Sequence, residues 1–397
     1  MSAGDPLSAG DPLSAGDPLS AGDPAGGRGG AASADLRLVV EATDGGARAG
    51  RVETPRGSFA TPCFMPVATR GSVRALSGAD LEDLGAQVVL SNTYHLMLRP
   101  GADVVAALGG IHGFAAWPGH VLTDSGGFQV MSLSGQVEEE GVRFKSVYDG
   151  SLHLLTPEGA VAVQEQLGAD IQMALDVCPR LPAPAEVVQE AADRTLRWAE
   201  RARRAHRREG QALFGIVQGG VDEGLRAGSA RRTAELGFAG YGIGGLSVGE
   251  RRDQMLAALA AALAELPPDR PRYLMGVGDP LGLVEAVALG VDLFDCVAPT
   301  RLARHGRVLT ATGPVSLRRA AHRADPAPPD PACPCPVCAR WSRAYLRHLM
   351  AVGEPTVLRL LSLHNLAWTL GLVARARAAV AAGRLARLRA EVAAVWS

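Results

Sequence analysis

The amino-acid sequence predicts an α/β protein: a (β/α)8 barrel carrying a small cysteine-rich subdomain near its C-terminus. Three observations lead there. Short apolar runs recur along the body, at residues 87–90, 120–123, 171–175, 213–217, 241–243, 272–275 and 291–294, with helical patterns between them. The runs end in small or polar residues: Ser91 and Asn92, Asp124 to Gly127, Asp176, Gln218 and Gly219, Gly244 and Gly245, Gly276 and Gly278, and Asp295. Cys333, Cys335 and Cys338 crowd together among prolines. Continuous apolar runs of about 4 to 8 residues are how strands buried on both faces read, and barrel enzymes carry their active sites at the carboxyl ends of such strands. The alternative, an open doubly wound sheet, would carry a G-x-G-x-x-G turn after its first strand, and none follows here.

Along the chain, the N-terminus first repeats Ser-Ala-Gly-Asp-Pro-Leu from Ser2, Ser8 and Ser14, truncates it from Ser20, and passes through Gly26, Gly27, Gly29 and Gly30. A short period rich in Gly, Pro and Asp offers no continuous apolar face, so residues 1–34 are expected to be disordered. Residues 35–324 have the length of a barrel with insertions. Crossover helices are expected at 184–209, introduced by Pro182 and Pro184, and at 249–266, stopped by Pro267 and Pro268. Prolines at 326, 328, 329, 331, 334 and 336 exclude helix through the next loop and mark 325–370 as a module hung on the barrel. Residues 371–397 are expected to form a C-terminal helix packed on the barrel.

Lys and Arg total 40 against 41 Asp and Glu, a net charge of −1, which excludes a uniformly basic nucleic-acid coat but leaves room for a local basic face. Such a face is present: arginines stand at 301, 304, 307, 318, 319, 323, 340, 343 and 347, opposed only by Asp325 and Asp330. This segment suits tracking of RNA phosphates and predicts salt-sensitive binding. The basic helix over 194–208 reads instead as a solvated outer face. No stretch reaches the roughly 18 uninterrupted apolar residues of a membrane span, and the N-terminus lacks a charged-then-apolar leader, so a cytoplasmic location without membrane association is expected.

Six cysteines in a chain of 397 residues, three of them clustered, point to a metal site in a reducing compartment rather than a disulfide framework. Cys333, Cys335 and Cys338 supply three thiolates, and a histidine, His364, His348 or His322, can complete a tetrahedral shell. Thiolate and imidazole donors suit Zn2+, and a closed four-ligand shell stabilises structure rather than activating water.

Three carboxylates, Asp124, Asp176 and Asp295, end strands. A lone Asp in that place is most often a helix N-cap. Convergence of two at one barrel mouth would allow division of nucleophilic and acid/base work, as in glycosyl transfer. Glycine pairs at 126–127, 219–220 and 244–245 would let a flat ligand approach backbone amides. Cys63, Cys178 and Cys296 read as small buried hydrophobes.

At these positions the sequence resembles the tRNA-guanine transglycosylases. The matching segments are Ser91-Asn-Thr-Tyr-His-Leu96, Asp124-Ser-Gly-Gly-Phe-Gln129, Asp149-Gly-Ser151 with Leu155-Thr-Pro-Glu158, Val217-Gln-Gly-Gly220 and Gly244-Gly-Leu-Ser-Val-Gly-Glu250. They continue through Tyr273-Leu-Met-Gly-Val-Gly278, Phe294-Asp-Cys296 with Pro299-Thr-Arg301, the cysteine cluster, Ser342-Arg-Ala-Tyr-Leu346 and His364-Asn-Leu366. The resemblance implies a TIM barrel with an inserted C-terminal zinc-binding subdomain, His364 as the fourth ligand of one structural zinc, and a homodimer. It implies exchange of guanine at the tRNA wobble position for a deazaguanine, within queuosine biosynthesis. Asp295 would be the nucleophile and Asp124 the general acid/base. Asp176, Gln218 and the Gly245 amide would read the purine edge between Phe128 and Met275, with Ser125, Gln129, Cys178, Gly244 and Leu246 completing the pocket and Arg301, Arg304 and Arg307 meeting RNA.

Val248 and Cys178 resemble the bacterial pocket for 7-aminomethyl-7-deazaguanine rather than the roomier queuine pocket. Three positions depart from the family pattern: Leu302 and His305 replace amides after the nucleophile, and Val177 stands where bacterial relatives often carry Glu. The competing expectations are a non-catalytic tRNA-binding subunit, a variant using queuine directly, and a barrel hydrolase using the same carboxylates.

Overall fold

The computed structural model describes residues 36–397 apart from Ser134 and Val248; the expected disorder of 1–34 and the pocket position of Val248 therefore lie outside the described residues. Eight parallel strands form the barrel: β1 (Cys63–Pro66), β2 (Val88–Ser91), β3 (His120–Thr123), β4 (Ile171–Met173), β5 (Ala212–Val217), β6 (Gly240–Ile243), β7 (Arg272–Leu274) and β8 (Leu293–Cys296). Hydrogen bonding runs β1-β8-β7-β6-β5-β4-β3-β2. The ring closes where Val67 pairs in parallel with Leu90 and the Ala68 amide donates to the Leu90 carbonyl at 2.6 Å. Seven strands fall on the apolar runs read from the sequence. The eighth, β1, is not among them: it lies between Pro62 and Pro66, where the prolines read as a turn rather than a strand.

Side chains facing inward, among them Met65, Leu90, Leu122, Met173, Phe214, Ile216 and Tyr273, fill the barrel interior. An antiparallel sheet of Arg37–Asp44, Ala47–Thr54 and Gly57–Thr61 adds Leu38, Val52 and Phe59 to that core. This sheet closes the end where the strands begin. Helices cover the outside; the longest crossover runs Ala185–Ala205 and buries Val188, Leu196 and Trp198. It is shorter than the expected 184–209, since Pro184 caps it and His206 turns extended. The helix expected over 249–266 spans Arg252–Glu265.

Between β3 and β4 the chain inserts a small antiparallel sheet, Gln136–Val137, Val142–Lys145 and Leu152–Leu155. After β8 come the helix Ala298–Arg304, a two-stranded ribbon, and the cysteine module. The prolines keep 324–335 free of helix, but Pro336 opens the short helix Pro336–Arg340, the one helical position where its missing N–H costs nothing. The helix Thr356–Ala381 then runs unbroken through position 370, so the junction expected at 370/371 falls inside it. Its length and apolar composition would suffice to cross a membrane. Here Val357, Leu360 and Leu361 sit in the module core, while Leu366, Leu372, Val373 and Val380 sit in the barrel core. A last helix, Leu385–Trp396, packs on Pro280–Ala288.

Candidate active site

Asp124, Asp176 and Asp295 converge on one cavity of about 310 Å³ at the carboxyl ends of the strands. Its wall also includes Ser125, Phe128, Gln129, Cys178, Gly244, Gly245, Leu246 and Met275, together with Tyr273 and Asn92. A larger groove of about 740 Å³ lies between Cys63, the cysteine module and the apolar residues Trp368, Leu370 and Leu372. The carboxylates gather in the smaller space, and chemistry rather than size marks the site.

The Asp295 carboxylate accepts two hydrogen bonds on the same oxygen: the Tyr273 hydroxyl donates to Oδ1 at 2.6 Å and the Gly276 amide at 2.8 Å. Its Oδ2 receives no donor from the described residues. One oxygen is fixed and the other is open to the cavity wall's occupant. Burial raises this carboxyl above its ordinary range, opposed by the Tyr273 and Gly276 donors.

Asp124 is held on both oxygens. Thr93 and Gly126 amides donate to Oδ1 at 2.8 and 3.2 Å, and the Asn92 side-chain amide donates to Oδ2. Burial pushes its pKa up to about 6, against the pull of those donors. A carboxyl poised near neutrality can hold a proton or release it, which general acid/base work requires.

Asp176 is raised to about 6 as well, first by burial and further by the charge of Asp124, with Gln218 opposing. The Gln218 amide donates to Asp176 Oδ2 at 2.6 Å. Gln218 is only 1% exposed and stands behind the wall rather than on it; a Cβ added to Gly245 would come within 2.4 Å of its Oε1. Gly245, at φ +67°, is therefore required twice, by backbone conformation and by this close approach. Gln218 Oε1 is buried without a partner, an acceptor waiting for a donor.

One residue the sequence reading passed over fixes this wall. Arg226, on the helix Glu223–Glu235, is fully buried and donates to the carbonyls of Gly220 at 2.7 Å, Val217 at 3.0 Å, Gly244 at 2.7 Å and Gly245 at 3.3 Å. Burial lowers its pKa to about 10, which leaves it charged at neutral pH. Tyr273, Asn92, Thr93 and Gly276 were also unassigned, although the matching segments contain them. Cys178 and Cys296 line the cavity rather than lying buried in the core. Burial pushes their thiols up to about 12 and about 11, so neither is a thiolate near neutral pH. Val177 is buried away from the rim among Tyr94, Leu175 and Trp198, because its side chain points into the packing beneath the loop.

Arg301 and Arg304 lie on Ala298–Arg304, the helix that begins two residues after Asp295's strand, and Arg307 opens the ribbon beyond it. They stand beside the cavity and do not line it. Leu302 and His305 share that stretch; His305 Nδ1 lies 2.8 Å from the Arg301 carbonyl, closing the helix locally.

The ligand atoms of Cys333, Cys335, Cys338 and His364 all lie within 4.8 Å of one another, a set able to hold a metal ion. His364 Nδ1 is 3.2 Å from Cys338 Sγ and 3.5 Å from Cys335 Sγ. Its Nε2 is 2.8 Å from the Leu309 carbonyl. That bond places the proton on Nε2 and turns the Nδ1 lone pair to the thiols, the arrangement of a ligating imidazole. His322 pairs with Asp325 instead.

The fold and site together define a barrel enzyme of the glycosyl-transferring class, with an appended Cys3His metal module. The family model for queuine tRNA-ribosyltransferase matches residues 43–397. Proteins so named from Desulfosudis oleivorans, Novosphingobium aromaticivorans and Thermus thermophilus are 52%, 51% and 53% identical to this chain. Those matches cover 86%, 89% and 88% of this chain and 91%, 96% and 91% of the relatives. The chain belongs to the queuine tRNA-ribosyltransferase family, the tRNA-guanine transglycosylases, which are pentosyltransferases.

Proposed function

We propose that this chain exchanges guanine at the wobble position of tRNA for 7-aminomethyl-7-deazaguanine through a covalent ribosyl-Asp295 intermediate, in queuosine biosynthesis. The observation that carries the reading is the pair of differently held acids on one cavity: Asp295 with one oxygen free, Asp124 gripped on both and raised to about 6.

In the first half-reaction Asp295 Oδ2 attacks the ribose anomeric carbon, and the bond to guanine N9 breaks. The departing base takes the proton held by Asp124. In the second, the Asp124 carboxylate accepts the N9 proton of the incoming base, whose nitrogen attacks the same carbon and releases Asp295. Two inversions give net retention, and the acid/base group ends as it began. Asp176, held from behind by Gln218, and the Gly245 amide suit the amide and amine edge of a purine. Ser125, Gln129, Gly244 and Leu246 shape the pocket, while Met275 and the half-exposed Phe128 flank its faces. Cys178 stays a neutral lining group suited to the smaller base.

Arg301, Arg304 and Arg307 contact the RNA backbone, and the protein acts as a homodimer away from membranes. The Cys333, Cys335, Cys338 and His364 set holds Zn2+, which ties the helix Thr356–Ala381 to the loop before Pro336. Chelation is expected to melt the module before the barrel, and identical melting with and without the metal would contradict a structural role.

The test is a base-exchange assay on purified tRNA offered labelled guanine, 7-aminomethyl-7-deazaguanine and queuine in parallel. Incorporation into intact tRNA, with 7-aminomethyl-7-deazaguanine preferred, is expected. Free guanine accumulating without incorporation would make the protein a hydrolase, and preference for queuine would overturn the assigned base. Binding without either reaction would leave a non-catalytic subunit.

A further inference from the structure

A second cluster at the barrel mouth has no role in the reaction above. The inserted hairpin carries Tyr148, and two guanidiniums lie over its ring, Arg99 at 4.6 Å from the centroid and Arg70 at 5.7 Å. The Tyr148 hydroxyl is hydrogen-bonded to His95 Nδ1 at 3.0 Å, and the Tyr148 amide donates to Ser146 Oγ at 3.2 Å. The next residue back, Val147, donates its amide to the Tyr94 hydroxyl at 3.4 Å. Tyrosine is thus fixed at both backbone and hydroxyl.

Its position ties it to the active site. Arg70 comes three residues after Val67, which lines the catalytic cavity. His95 and Arg99 follow Asn92, whose side chain holds Asp124. Both arginines are exposed, and among the described residues neither has a carboxylate within ion-pair distance. Burial, then the charge of Arg70, keeps the His95 imidazole neutral by lowering its pKa, so the cluster's charge is that of the two guanidiniums. An aromatic face beneath a guanidinium orients it without neutralising it, and leaves its N–H edge free for a paired hydrogen bond to phosphate.

We propose that Arg70 and Arg99, braced on Tyr148, clamp the sugar-phosphate backbone of the RNA strand beside the nucleotide inserted in the cavity. This rests on the reading of the cavity as a nucleotide site. Extruding a base from its loop costs stacking free energy, and phosphates gripped next to the mouth offset that cost at the point where the strand is distorted. The clamp adds a grip at β1 and β2, next along the ring to Arg301 and Arg304 after β8.

The test uses the full chain and a wobble-guanine anticodon stem-loop, with binding followed by anisotropy at several salt concentrations and exchange kinetics measured in parallel. R70Q is expected to weaken stem-loop binding roughly three- to tenfold, R70Q/R99Q more, with the salt slope falling by about 1 for each phosphate released from the clamp. KM for the free base stays at the wild-type value, which also reports an intact fold. Y148L should behave as R70Q does, and Y148F, which keeps the ring, should stay nearer wild type. Wild-type RNA affinity and salt slope in R70Q/R99Q would overturn the clamp. Wild-type protein that binds the stem-loop without exchanging base would overturn the transglycosylase reading instead, while the binding measurements still decide the clamp. Competition for the cluster by an acidic peptide, with RNA binding unmoved by the substitutions, would assign it to a protein partner and refute RNA.

Discussion

The two ends of the barrel use the same residue in opposite ways. Where the strands begin, buried aspartates are matched with cations. Asp292 takes Arg48 Nε at 2.8 Å and Nη2 at 2.5 Å, plus the Arg272 amide at 2.7 Å. Arg48 reaches on to the carbonyls of Pro268 and Arg270, so one ion pair staples the N-terminal sheet to the barrel floor. Asp170 takes Arg56 Nε at 2.7 Å and the Val121 amide at 2.7 Å. Burial alone would raise Asp170; His112, the Val121 amide and Arg56 together hold it below its ordinary value. Where the strands end, Asp124, Asp176 and Asp295 meet amides and a hydroxyl, with no ion pair among the described residues; burial raises all three, as it also raises Asp292 against the pull of Arg48 and Arg272. Charge at the floor is spent on cohesion, and charge at the mouth is left unbalanced for a substrate.

Substitution at the mouth and at the floor should therefore separate activity from stability. D295N removes the attacking oxygen and is expected to lower base exchange by at least about 10³-fold, with no RNA adduct on denaturing gels. Its melting temperature should equal or exceed that of the wild type, because a buried carboxylate without a cation has been neutralised. D292A is expected to act in reverse. It strands the buried Arg48 guanidinium, a loss of about 3–5 kcal/mol by urea unfolding, while exchange per folded molecule is retained. Loss of stability in D295N equal to that in D292A would erase the distinction between the ends.

The pH dependence sharpens the same contrast. Asp124 and Asp176 titrate at about 6 in the folded chain, above the ordinary 3.8. Between about pH 4 and 6 the folded state therefore binds more protons than the unfolded one, and these two groups make stability fall as pH rises through that window. The amide in D176N cannot ionise. Its stability relative to wild type should rise by on the order of 2–3 kcal/mol from pH 4 to pH 7 and then level off. Subtracting the two unfolding curves cancels the surface carboxylates common to both proteins, and a difference independent of pH would place Asp176 in an ordinary, solvated state.

What could be read before folding followed from local order. Polar residues directly after apolar runs marked Asp124, Asp176 and Asp295, because a strand that ends at the mouth delivers its next side chain there. The cysteine spacing marked the candidate metal module for a related reason: three of its four cluster residues lie within six positions of one another in sequence. Arg226 and Tyr273 carry no such signal. Arg226 sits on a polar helix beside exposed arginines, and only the docking of that helix under the Gly219–Gly220 and Gly244–Gly245 turns buries it. Tyr273 reads as one more apolar strand residue until β7 and β8 pair and bring its hydroxyl to Asp295. Gln218 was legible in position but not in its partner: the close approach of Gly245 decides that it backs Asp176 rather than lining the cavity.

The smallest expected effects concern the outer arginines, and they test the comparison over the whole surface. On the helix Ala185–Ala205, Arg197 pairs with Glu139 at 2.7 Å and Glu190 at 3.0 Å, and Arg201 pairs with Glu158 at 2.7 Å. Arg197 and Arg194 together hold the Glu139 carboxyl down to about 2. These charges are matched within the protein, so little of their field remains for an RNA. Arg70, Arg99, Arg301 and Arg304 at the mouth have no such partners among the described residues. Because the outer pairs are solvated, R197Q and R201Q should each change stability by no more than about 1 kcal/mol. They should also leave the salt slope of stem-loop binding where it was, whereas R301Q and R304Q should lower it by about 1 each. An outer variant that moves the slope as far as a mouth variant would mean that total positive charge, and not its unpaired fraction at the mouth, governs RNA binding.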